Sequence, residues 1–480
     1  SALWPKTPYR GCHIRYGPPR IFLVFPVGNH QRIGHAPPAP SVSNGCASGF
    51  SCIALWQAGI LLGMMSTPAF SAPRHWLRAL GISAALVSAA HAQTSAPQEP
   101  PQLSTAEFQS CLQELRATKP FAGITPATFS QYTGQLQPDA TVLPLLNRQP
   151  EFSMPVWDYM AVLVDEQRVA DGRAGFQQWK DTLAKIEQST GVAPAIVVGV
   201  WGVESNFGQN LGGRSLVQSL STLSCFGRRQ AYFRGEFANA LRILQEGHIA
   251  ESKLVGSWAG AFGQTQFMPS TFFRSAVDFD GDGRRDIVDS VPDALASTAT
   301  FLKNAGYRAG QPWGFEVKLP AGFDTSDAGR KNKKPIAQWR AAGVVQANGN
   351  PLPDSLPSAG LMIPAAGGPA FLVGRNFDAL YSYNASENYG LAIAHLSNLV
   401  GDTTNTSVNL ATPWPTDDVG LSRAQNKDLQ RALLARGYDI GEADGMIGAK
   451  TRDAIKAEQT RLGLKADGRA GQKLLKAIQQ

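Results

Sequence analysis

The residue of this chain best suited to chemistry is a glutamate at the end of an apolar segment. Residues 193–208 read APAIVVGVWGVESNFG, so Glu204 follows an apolar run and precedes a polar turn. A carboxyl in apolar surroundings is costly to ionise, and it therefore stays protonated to a higher pH than usual. Cleavage of a glycosidic bond requires such a protonated general acid near neutral pH. The pattern predicts an enzyme that cuts a sugar polymer, with Glu204 as its acid.

A second segment with suitable chemistry, residues 257–272, reads SWAGAFGQTQFMPSTF. Its small residues allow the backbone to approach a ligand closely. The amides of Gln264 and Gln266 suit hydroxyl and acetamide groups, and the rings of Phe262 and Phe267 suit the faces of sugars. A packing site between helices is the alternative interpretation, but the density of Gly, Gln and Phe favours contact with a carbohydrate.

Residues 278–289, DFDGDGRRDIVD, have the spacing of an EF-hand loop, with Gly283 at position 6, where the turn needs a glycine. The predicted metal-site residues are Asp278, Asp280, Asp282, Arg284 and Asp289. The last ligand is shorter than the usual glutamate, and Asp293 could take its place. The spacing predicts a structural Ca2+ site rather than a catalytic one, and a plain Asp-Gly turn is the alternative.

Tyr383, Asn384 and Tyr389 form a third candidate group. Tyrosine rings and asparagine amides are common in sugar-binding clefts, as stacking surfaces and as partners for acetamides. A core tyrosine pair with a helix-capping asparagine is the default explanation for the same residues.

A pair of arginines, Arg228 and Arg229, lies shortly before Tyr232. Guanidinium groups bind carboxylates well, so the pair is suited to a substrate that carries them. Two arginines on a solvated helix face are an equally good explanation.

The elements that must position these residues are mostly helical. Helical spacing of apolar residues predicts helices over residues 108–115, 156–169, 176–189, 294–304 and 391–400. Gly191 is suited to end one of them, and Pro194 to begin the helix that carries Glu204. Residues 308–370 are rich in Gly and Pro, which predicts loops and a small sheet.

The C-terminal region contains an internal repeat. Residues 401–418 read as a linker rich in Thr, Asn and Pro. The pattern Ala-Asp-Gly-x2-Gly then occurs at 443–448 and again at 466–471, each time before a helix. With a further helix over 421–436, these segments predict a small three-helix bundle.

The N-terminal region reads as an export signal. Residues 1–92 carry seven basic and no acidic residues, so the positive net charge of +7 resides there and gives no evidence for a nucleic-acid partner. Arg74 and Arg78 precede an apolar stretch over 79–89 and the small-x-small site Ala-His-Ala at 90–92. We expect export to the periplasm, and residues 1–63 to be upstream sequence without a stable fold.

Of the five cysteines, Cys12, Cys46 and Cys52 lie in that N-terminal region. Cys111 and Cys225 remain, and two cysteines in an exported protein can form one disulfide. Two separate buried thiols are the alternative.

Taken together, the motifs resemble those of the lytic murein transglycosylase B family. The segments IVVGVWGVESNFG, GRRQAYF, AGAFGQTQFMPSTF, VDFDGDGRRD and YNASENY occur in that order and cover about residues 106–400. Residues 421–478 resemble the three-helix peptidoglycan-binding domain. The resemblance implies a mainly α (α+β) fold, with a lysozyme-like catalytic domain, a small β subdomain and the C-terminal bundle.

The resemblance also implies roles for residues. Glu204 would protonate the glycosidic oxygen between N-acetylmuramic acid and N-acetylglucosamine. It would then deprotonate the C6 hydroxyl, which attacks C1 to give a 1,6-anhydro end without any catalytic cofactor. Arg228 and Arg229 would face the peptide stem or the lactyl group. The residues that would line the cleft are Tyr159, Tyr232, Ser257, Gln266, Tyr383, Asn384 and Tyr389.

Two other functions stay open from sequence. A hydrolytic muramidase on the same fold would release reducing ends, and a non-catalytic scaffold would bind the wall without cutting it. The polymer that is bound is peptidoglycan in every case, and the sequence leaves open further partners among the proteins of cell-wall synthesis or division. The predicted plan is an extension (1–63), a signal peptide (64–92), a linker (93–105), a catalytic domain (106–400), a linker (401–418) and a peptidoglycan-binding domain (419–480).

Overall fold

A computed structural model describes residues 102–147, 154–404 and 407–480. The segments predicted as an upstream extension and a signal peptide lie outside these residues, as do Cys12, Cys46, Cys52 and most of the linker at 93–105. Within the described ranges, no helix combines the length and the apolar character that crossing a membrane requires.

The described part of the chain is mainly helical. Its α-helices are α1 (Thr105–Arg116), α2 (Pro126–Thr133), α3 (Val156–Leu163), α4 (Glu166–Gln178), α5 (Lys180–Thr190), α6 (Pro194–Ser205), α7 (Leu216–Phe226), α8 (Gln230–Gln245), α9 (Pro269–Ser275), α10 (Val291–Asn304), α11 (Ile336–Ala341), α12 (Arg375–Asn384), α13 (Glu387–Gly401), α14 (Arg423–Ala435), α15 (Ala449–Arg461) and α16 (Gln472–Gln479). Short 3-10 helices lie at Lys119–Phe121, Ala140–Val142, Pro144–Asn147 and Glu251–Lys253.

The strands form two antiparallel sheets. They are β1 (Arg214–Ser215), β2 (Val255–Gly256), β3 (Gly314–Lys318), β4 (Lys334–Pro335), β5 (Val345–Gln346), β6 (Ser358–Met362) and β7 (Ala370–Val373). β1 pairs with β2, and the other five form a sheet in the order β4-β6-β7-β3-β5. This larger sheet has an apolar cluster of its own beside the main core, and it occupies the region where the sequence predicts one.

Helix α6 lies in the main core. Its residues from Ile196 to Gly202 are all buried, as expected for a helix that is apolar on every side. Gly199 faces α13, where an added Cβ would lie 3.0 Å from the carbonyl oxygen of Ile393 and would overlap the hydroxyl of Ser397. The absence of a side chain at this position therefore allows α6 and α13 to pack closely.

Two predicted helices are interrupted. The predicted helix over 156–169 ends at Leu163, and the next one begins after Asp165, whose side chain accepts a hydrogen bond from the Arg168 backbone N–H. Trp179 similarly separates α4 from α5 within the predicted helix over 176–189. The apolar spacing continues through both breaks, so periodicity alone did not reveal them. Gly191 adopts a positive φ of 74° at the end of α5, as predicted.

A disulfide joins Cys111 of α1 to Cys225 of α7. Of the two arrangements that the sequence left open, the structure therefore contains the bonded one. The bridge connects residues separated by 114 positions and ties the first helix to the core.

The C-terminal bundle of α14, α15 and α16 has a separate apolar core. Its repeat has a clear structural basis in two buried glutamines. The amide of Gln430 donates to the Asp444 carboxylate and accepts from the Gly445 N–H. Gln459 makes the corresponding bonds to the Asp467 carboxylate and to the N–H of residue 468. Each Asp-Gly turn is thus held by a glutamine of the preceding helix.

Candidate active site

Glu204 is the penultimate residue of α6, where the helix ends abruptly. Asn206 and Phe207 both have a positive φ, 50° and 58°, which turns the chain away from the helix axis. The hydroxyl of Ser205 donates to the Gln264 carbonyl oxygen at 2.8 Å and accepts the Gly208 N–H at 3.0 Å. These bonds stabilise the turn and place the Glu204 side chain at the edge of the core.

Glu204 borders two cavities. The larger, of about 310 Å³, is lined by Met154, Tyr159, Val162, Leu163, Val203, Glu204, Ser257, Ala261, Gln266, Asn384 and Tyr389. The smaller, of about 30 Å³, is lined by Glu204, Tyr232, Gln266, Phe267, Met268, Ser270, Thr271, Phe301 and Tyr383. Among the described residues, Glu204 is the only carboxylic acid in either lining. The structure therefore brings seven of the predicted cleft residues to this glutamate.

Burial raises the pKa of Glu204 to about 8. A hydrogen bond from the Tyr389 hydroxyl to Oε1 of Glu204 acts in the opposite direction, because it stabilises the carboxylate. Burial and the nearby Glu204 raise the pKa values of Tyr383 and Tyr389 well above their usual range. At neutral pH Glu204 is thus a protonated acid between neutral tyrosines, as a general acid must be.

The three residues of the Tyr-Asn-Tyr group have different surroundings. Tyr389 lies in the first turn of α13 and reaches Glu204. Asn384 is the last residue of α12 and lines the larger cavity. Tyr383 is largely buried; its hydroxyl donates to the Thr265 carbonyl oxygen at 2.8 Å. Tyr383 therefore supports the site from within the core as well as bordering the smaller cavity.

The glutamine segment forms one wall of the site. Gln266 has a positive φ of 48°, and its amide donates to the Gly263 carbonyl oxygen at 2.9 Å, which holds the side chain in place between the two cavities. The Ser257 hydroxyl accepts the Ala261 N–H at 3.0 Å, at the rim of the larger cavity. Both residues thus keep a fixed position at the site.

Two residues of this segment do not have the predicted role. Gln264 is buried, and its amide bonds the Trp201 indole N–H at 2.9 Å and the Val288 carbonyl oxygen at 2.9 Å. Phe262 is fully buried and packs near Phe272 in the core. The prediction that Gln264 and Phe262 contact a sugar is therefore wrong, because tertiary packing uses both side chains internally.

Neither Arg228 nor Arg229 lines the cavities at Glu204. Arg228 donates to the Leu146 carbonyl oxygen at 3.0 Å. Arg229 precedes α8 with a φ of 63°, and its guanidinium lies 4.9 Å from the centre of the Tyr232 ring. Since Tyr232 borders the smaller cavity, Arg229 is separated from that cavity by the Tyr232 ring.

The predicted metal loop brings together three of its proposed ligands. Carboxylate oxygens of Asp278, Asp280 and Asp282 lie within 4.8 Å of one another and are exposed. The Arg284 guanidinium donates a hydrogen bond to the Asp282 carboxylate at 3.0 Å, so this carboxylate also has a positively charged partner within the protein. Asp289 is not part of the cluster, since its carboxylate pairs with Lys253 at 3.0 Å. The structure therefore groups three of the predicted carboxylates and leaves the last one, Asp289, outside the group.

Asp293 organises the loop from inside the protein. Its buried carboxylate accepts the backbone N–H groups of Phe279 at 2.7 Å and Asp286 at 2.8 Å. It therefore braces the loop through the backbone and does not replace Asp289 beside the other carboxylates. Three crowded, exposed carboxylates on a braced loop are a donor set that suits a hard cation such as Ca2+.

Sequence reasoning missed the apolar part of the larger cavity. Val162 and Leu163 follow Tyr159 on α3 at a spacing of three and four residues, so all three share one helix face. That spacing is the signal that would have identified them. The three residues together form one wall of the larger cavity, which Glu204 also lines.

Comparison with known proteins identifies the family. Residues 107–398 match the transglycosylase SLT domain, and residues 422–478 match the peptidoglycan binding domain. The chain belongs to the transglycosylase SLT family. It is therefore related to enzymes that cleave the glycan strands of peptidoglycan, and the predicted family resemblance is confirmed.

Three relatives show the extent of the likeness. The membrane-bound lytic murein transglycosylase B of Escherichia coli (strain K12) is 33% identical over 249 residues, which are 50% of this chain and 66% of that protein. The structure of SltB3 from Pseudomonas aeruginosa in complex with NAG-anhNAM-pentapeptide is 44% identical, with a TM-score of 0.61 over 78% of this chain and 99% of SltB3. The E. coli lytic transglycosylase Slt35 in complex with calcium is 29% identical, with a TM-score of 0.53 over 62% and 93%. The predicted fold class, mainly α with a small sheet and a lysozyme-like catalytic domain, is confirmed.

Proposed function

We propose that this protein is a lytic transglycosylase that cleaves the β-1,4 bond between N-acetylmuramic acid and N-acetylglucosamine. The observation that carries the proposal is Glu204 itself, a carboxyl with a pKa of about 8 that has no acidic neighbour in the linings of its two cavities. The complex of the relative SltB3 with NAG-anhNAM-pentapeptide supports this reaction, since an anhydro sugar is its product.

One carboxyl suffices for both steps of this reaction. The protonated Glu204 gives its proton to the glycosidic oxygen, so the C1–O bond breaks and the N-acetylglucosamine alcohol leaves. The resulting carboxylate, stabilised by the Tyr389 hydroxyl, then takes the proton of the muramoyl C6 hydroxyl while O6 bonds to C1. An attacking group within the substrate needs no second carboxylate to activate water.

The surrounding residues would bind the sugars. Ser257, Gln266 and Asn384 offer neutral hydrogen-bonding groups at the larger cavity, and Tyr159 offers a ring face. Tyr232 and Tyr383 would support the smaller cavity on the other side of the acid. Neither cavity is lined by Arg228 or Arg229, so these arginines would contact the peptide stem or the lactyl group only where the substrate extends beyond the cavities.

The outer parts of the proposal concern the whole protein. We assign the catalytic domain to residues 106–400, a linker to 401–418 and a peptidoglycan-binding domain to 419–480, after an extension (1–63), a signal peptide (64–92) and a linker (93–105). Export to the periplasm follows from the predicted signal peptide at 64–92. Proteins of cell-wall synthesis or division remain proposed partners.

A structural Ca2+ ion is the proposed occupant of the loop at 278–282. Asp278, Asp280 and Asp282 would hold it, and the calcium complex of the relative Slt35 supports the assignment. The ion would neutralise three crowded carboxylates and stiffen the loop, with no part in the proton transfers at Glu204.

The product of digestion tests the proposed reaction. Purified sacculi are incubated with the wild type and with Glu204→Gln, and the released fragments are analysed by mass spectrometry. We expect anhydromuropeptides from the wild type and, because glutamine cannot donate a proton, a loss of at least roughly a thousandfold in rate for the variant. Reducing muropeptides would instead identify a hydrolase, and an inert wild type that still binds sacculi would identify a scaffold.

A further inference from the structure

Helix α3 connects the active site to the C-terminal bundle. Tyr159, Val162 and Leu163 line the cavity at Glu204. The neighbouring Asp158 is buried, and its carboxylate contacts the bundle rather than the catalytic domain. One short helix thus carries a wall of the cleft and a docking point for the bundle.

Arg469 makes the contact from the bundle. Its Nε and Nη2 atoms donate to Oδ2 and Oδ1 of Asp158, each at 2.6 Å, in a two-pronged ion pair. Its Nη1 atom donates to the Asp418 carboxylate at 2.5 Å, and Nη2 also bonds the Asp418 carbonyl oxygen. Because Arg469 follows the second Asp-Gly turn, the buried Gln459 that holds the turn also orients this arginine.

A second contact lies at the start of the next helix. The Asp165 carboxylate caps the start of α4 by accepting a hydrogen bond from the Arg168 backbone N–H at 2.8 Å. The same carboxylate accepts a hydrogen bond from the Arg423 backbone N–H of the bundle at 3.2 Å. The Arg168 side chain bonds the carbonyl oxygen of Val162 at 3.0 Å. The bundle therefore contacts both ends of the segment that contains the cleft wall.

Two glycines allow the close approach. An added Cβ at Gly420 would lie 2.6 Å from the Cα of Asp158, and one at Gly471 would overlap the Asp418 carboxylate. The chain before α14 therefore packs directly on α3, which leaves Asp158 little exposure to water. In such surroundings a guanidinium is a strong and directional partner for a carboxylate.

We propose that Arg469 is a positioning residue for the catalytic cleft: its ion pair with Asp158 fixes α3, and with it the wall formed by Tyr159, Val162 and Leu163. The expected change in kinetics rests on the proposed function, whereas the expected change in the mobility of α3 does not. The bundle would then support the active site in addition to binding peptidoglycan.

The physical reason lies in the burial of Asp158. Removal of Arg469 leaves the buried Asp158 carboxylate without its partner, which is much more costly than the intact pair. The helix can relieve that cost by shifting the carboxylate toward water, and such a shift moves Tyr159, the next residue. A misplacement of about 1 Å in a substrate-positioning wall weakens the binding of the substrate and can reduce kcat/KM by up to about a hundredfold.

The test uses the full chain with Arg469→Ala, Asp158→Asn and the double variant. Arg431→Ala is the matched control, since Arg431 pairs with Asp428 within the bundle. Two quantities are measured: the steady-state kinetics on short soluble glycan strands, and the amide hydrogen exchange of residues 156–163. Soluble strands are used because their cleavage needs no retention on the sacculus.

We expect KM to rise by roughly tenfold in Arg469→Ala, with a smaller change in kcat and an unchanged pH profile, because Glu204 itself is not disturbed. Exchange over 156–163 should become faster, and Asp158→Asn should add little to Arg469→Ala, as expected for partners in one interaction. The control should match the wild type in both measurements.

Other outcomes overturn the inference. Wild-type kinetics together with faster exchange confined to the bundle would mean that Arg469 only stabilises its own domain. If Arg469→Ala does not fold, Asp158→Asn alone decides, since it removes the charge from the catalytic side. If the wild type forms no anhydro product, the proposed function fails, while exchange over 156–163 still decides the positioning role.

Discussion

The hydroxyl of Tyr389 donates a hydrogen bond to Oε1 of Glu204 across 185 residues of sequence. The two side chains come from α13 and α6, which pack closely at Gly199. Burial raises the pKa of Glu204 to about 8, while the Tyr389 hydrogen bond lowers it. The pKa of Glu204 is therefore set by two opposing effects, burial and the hydrogen bond, and a substitution can change each effect separately.

The pH dependence of activity follows from the raised pKa of Glu204. A general acid works in its protonated form, so kcat/KM should be unaffected by this group well below its pKa and should fall as the pH rises through about 8. The measurement is kcat/KM on soluble glycan strands at a series of pH values. A fall centred near the usual glutamate pKa of about 4.3 would contradict the burial of this carboxyl.

Substitution of Tyr389→Phe should move that alkaline limit. Loss of the hydroxyl removes a bond that favours the carboxylate, so the pKa of Glu204 rises and the fall in activity shifts to higher pH. The rate itself should decrease by roughly ten- to a hundredfold, since the carboxylate formed in the reaction loses a hydrogen bond. Tyr383→Phe is the matched control, because its hydroxyl bonds the Thr265 carbonyl oxygen. An alkaline limit that moves equally in both variants would refute the specific role of Tyr389.

Glu204→Gln should gain stability relative to the wild type at alkaline pH. The pKa of Glu204 is higher in the folded protein than in the unfolded chain. Its contribution to stability is therefore complete below the unfolded pKa of about 4.3 and is lost as the pH rises through about 8. Glutamine does not titrate, so the difference between variant and wild type should grow by a few kcal/mol between about pH 5 and 9.

Urea unfolding at the two pH values measures this difference. Glu251→Gln serves as the control, because Glu251 is exposed, and its stability relative to the wild type should change little with pH. A constant difference for Glu204→Gln would show that Glu204 is solvated in the folded protein.

Calcium should raise the melting temperature through the carboxylates at 278–282. An ion that binds only the folded protein at about a hundredfold excess over its Kd adds about 2.7 kcal/mol of stability. The increase should be lost in Asp280→Asn, since Asp280 belongs to the cluster. It should persist in Asp289→Asn, since Asp289 pairs with Lys253. If both variants lose the increase in melting temperature equally, Asp289 is also a calcium ligand, as in the full EF-hand set. If calcium does not raise the melting temperature of the wild type, the loop binds no calcium.

Local sequence determined the features that depend on a few neighbouring residues. Pro194 begins α6 and Gly191 ends α5 because their backbone preferences act at single positions. The alternating aspartates at 278–282 come together because one turn holds them. Glu204 itself was identified from the apolar run before it, since that run already predicts burial.

Only the tertiary structure decided which side chains meet across the fold. Gln264 and Gln266 are two positions apart and chemically identical, yet one is buried against Trp201 and the other borders the site. The ion pair of Asp158 with Arg469 joins residues 311 positions apart. Spacing along the chain cannot reveal such contacts, because they depend on how whole helices pack and on which polar groups that packing leaves in need of a partner.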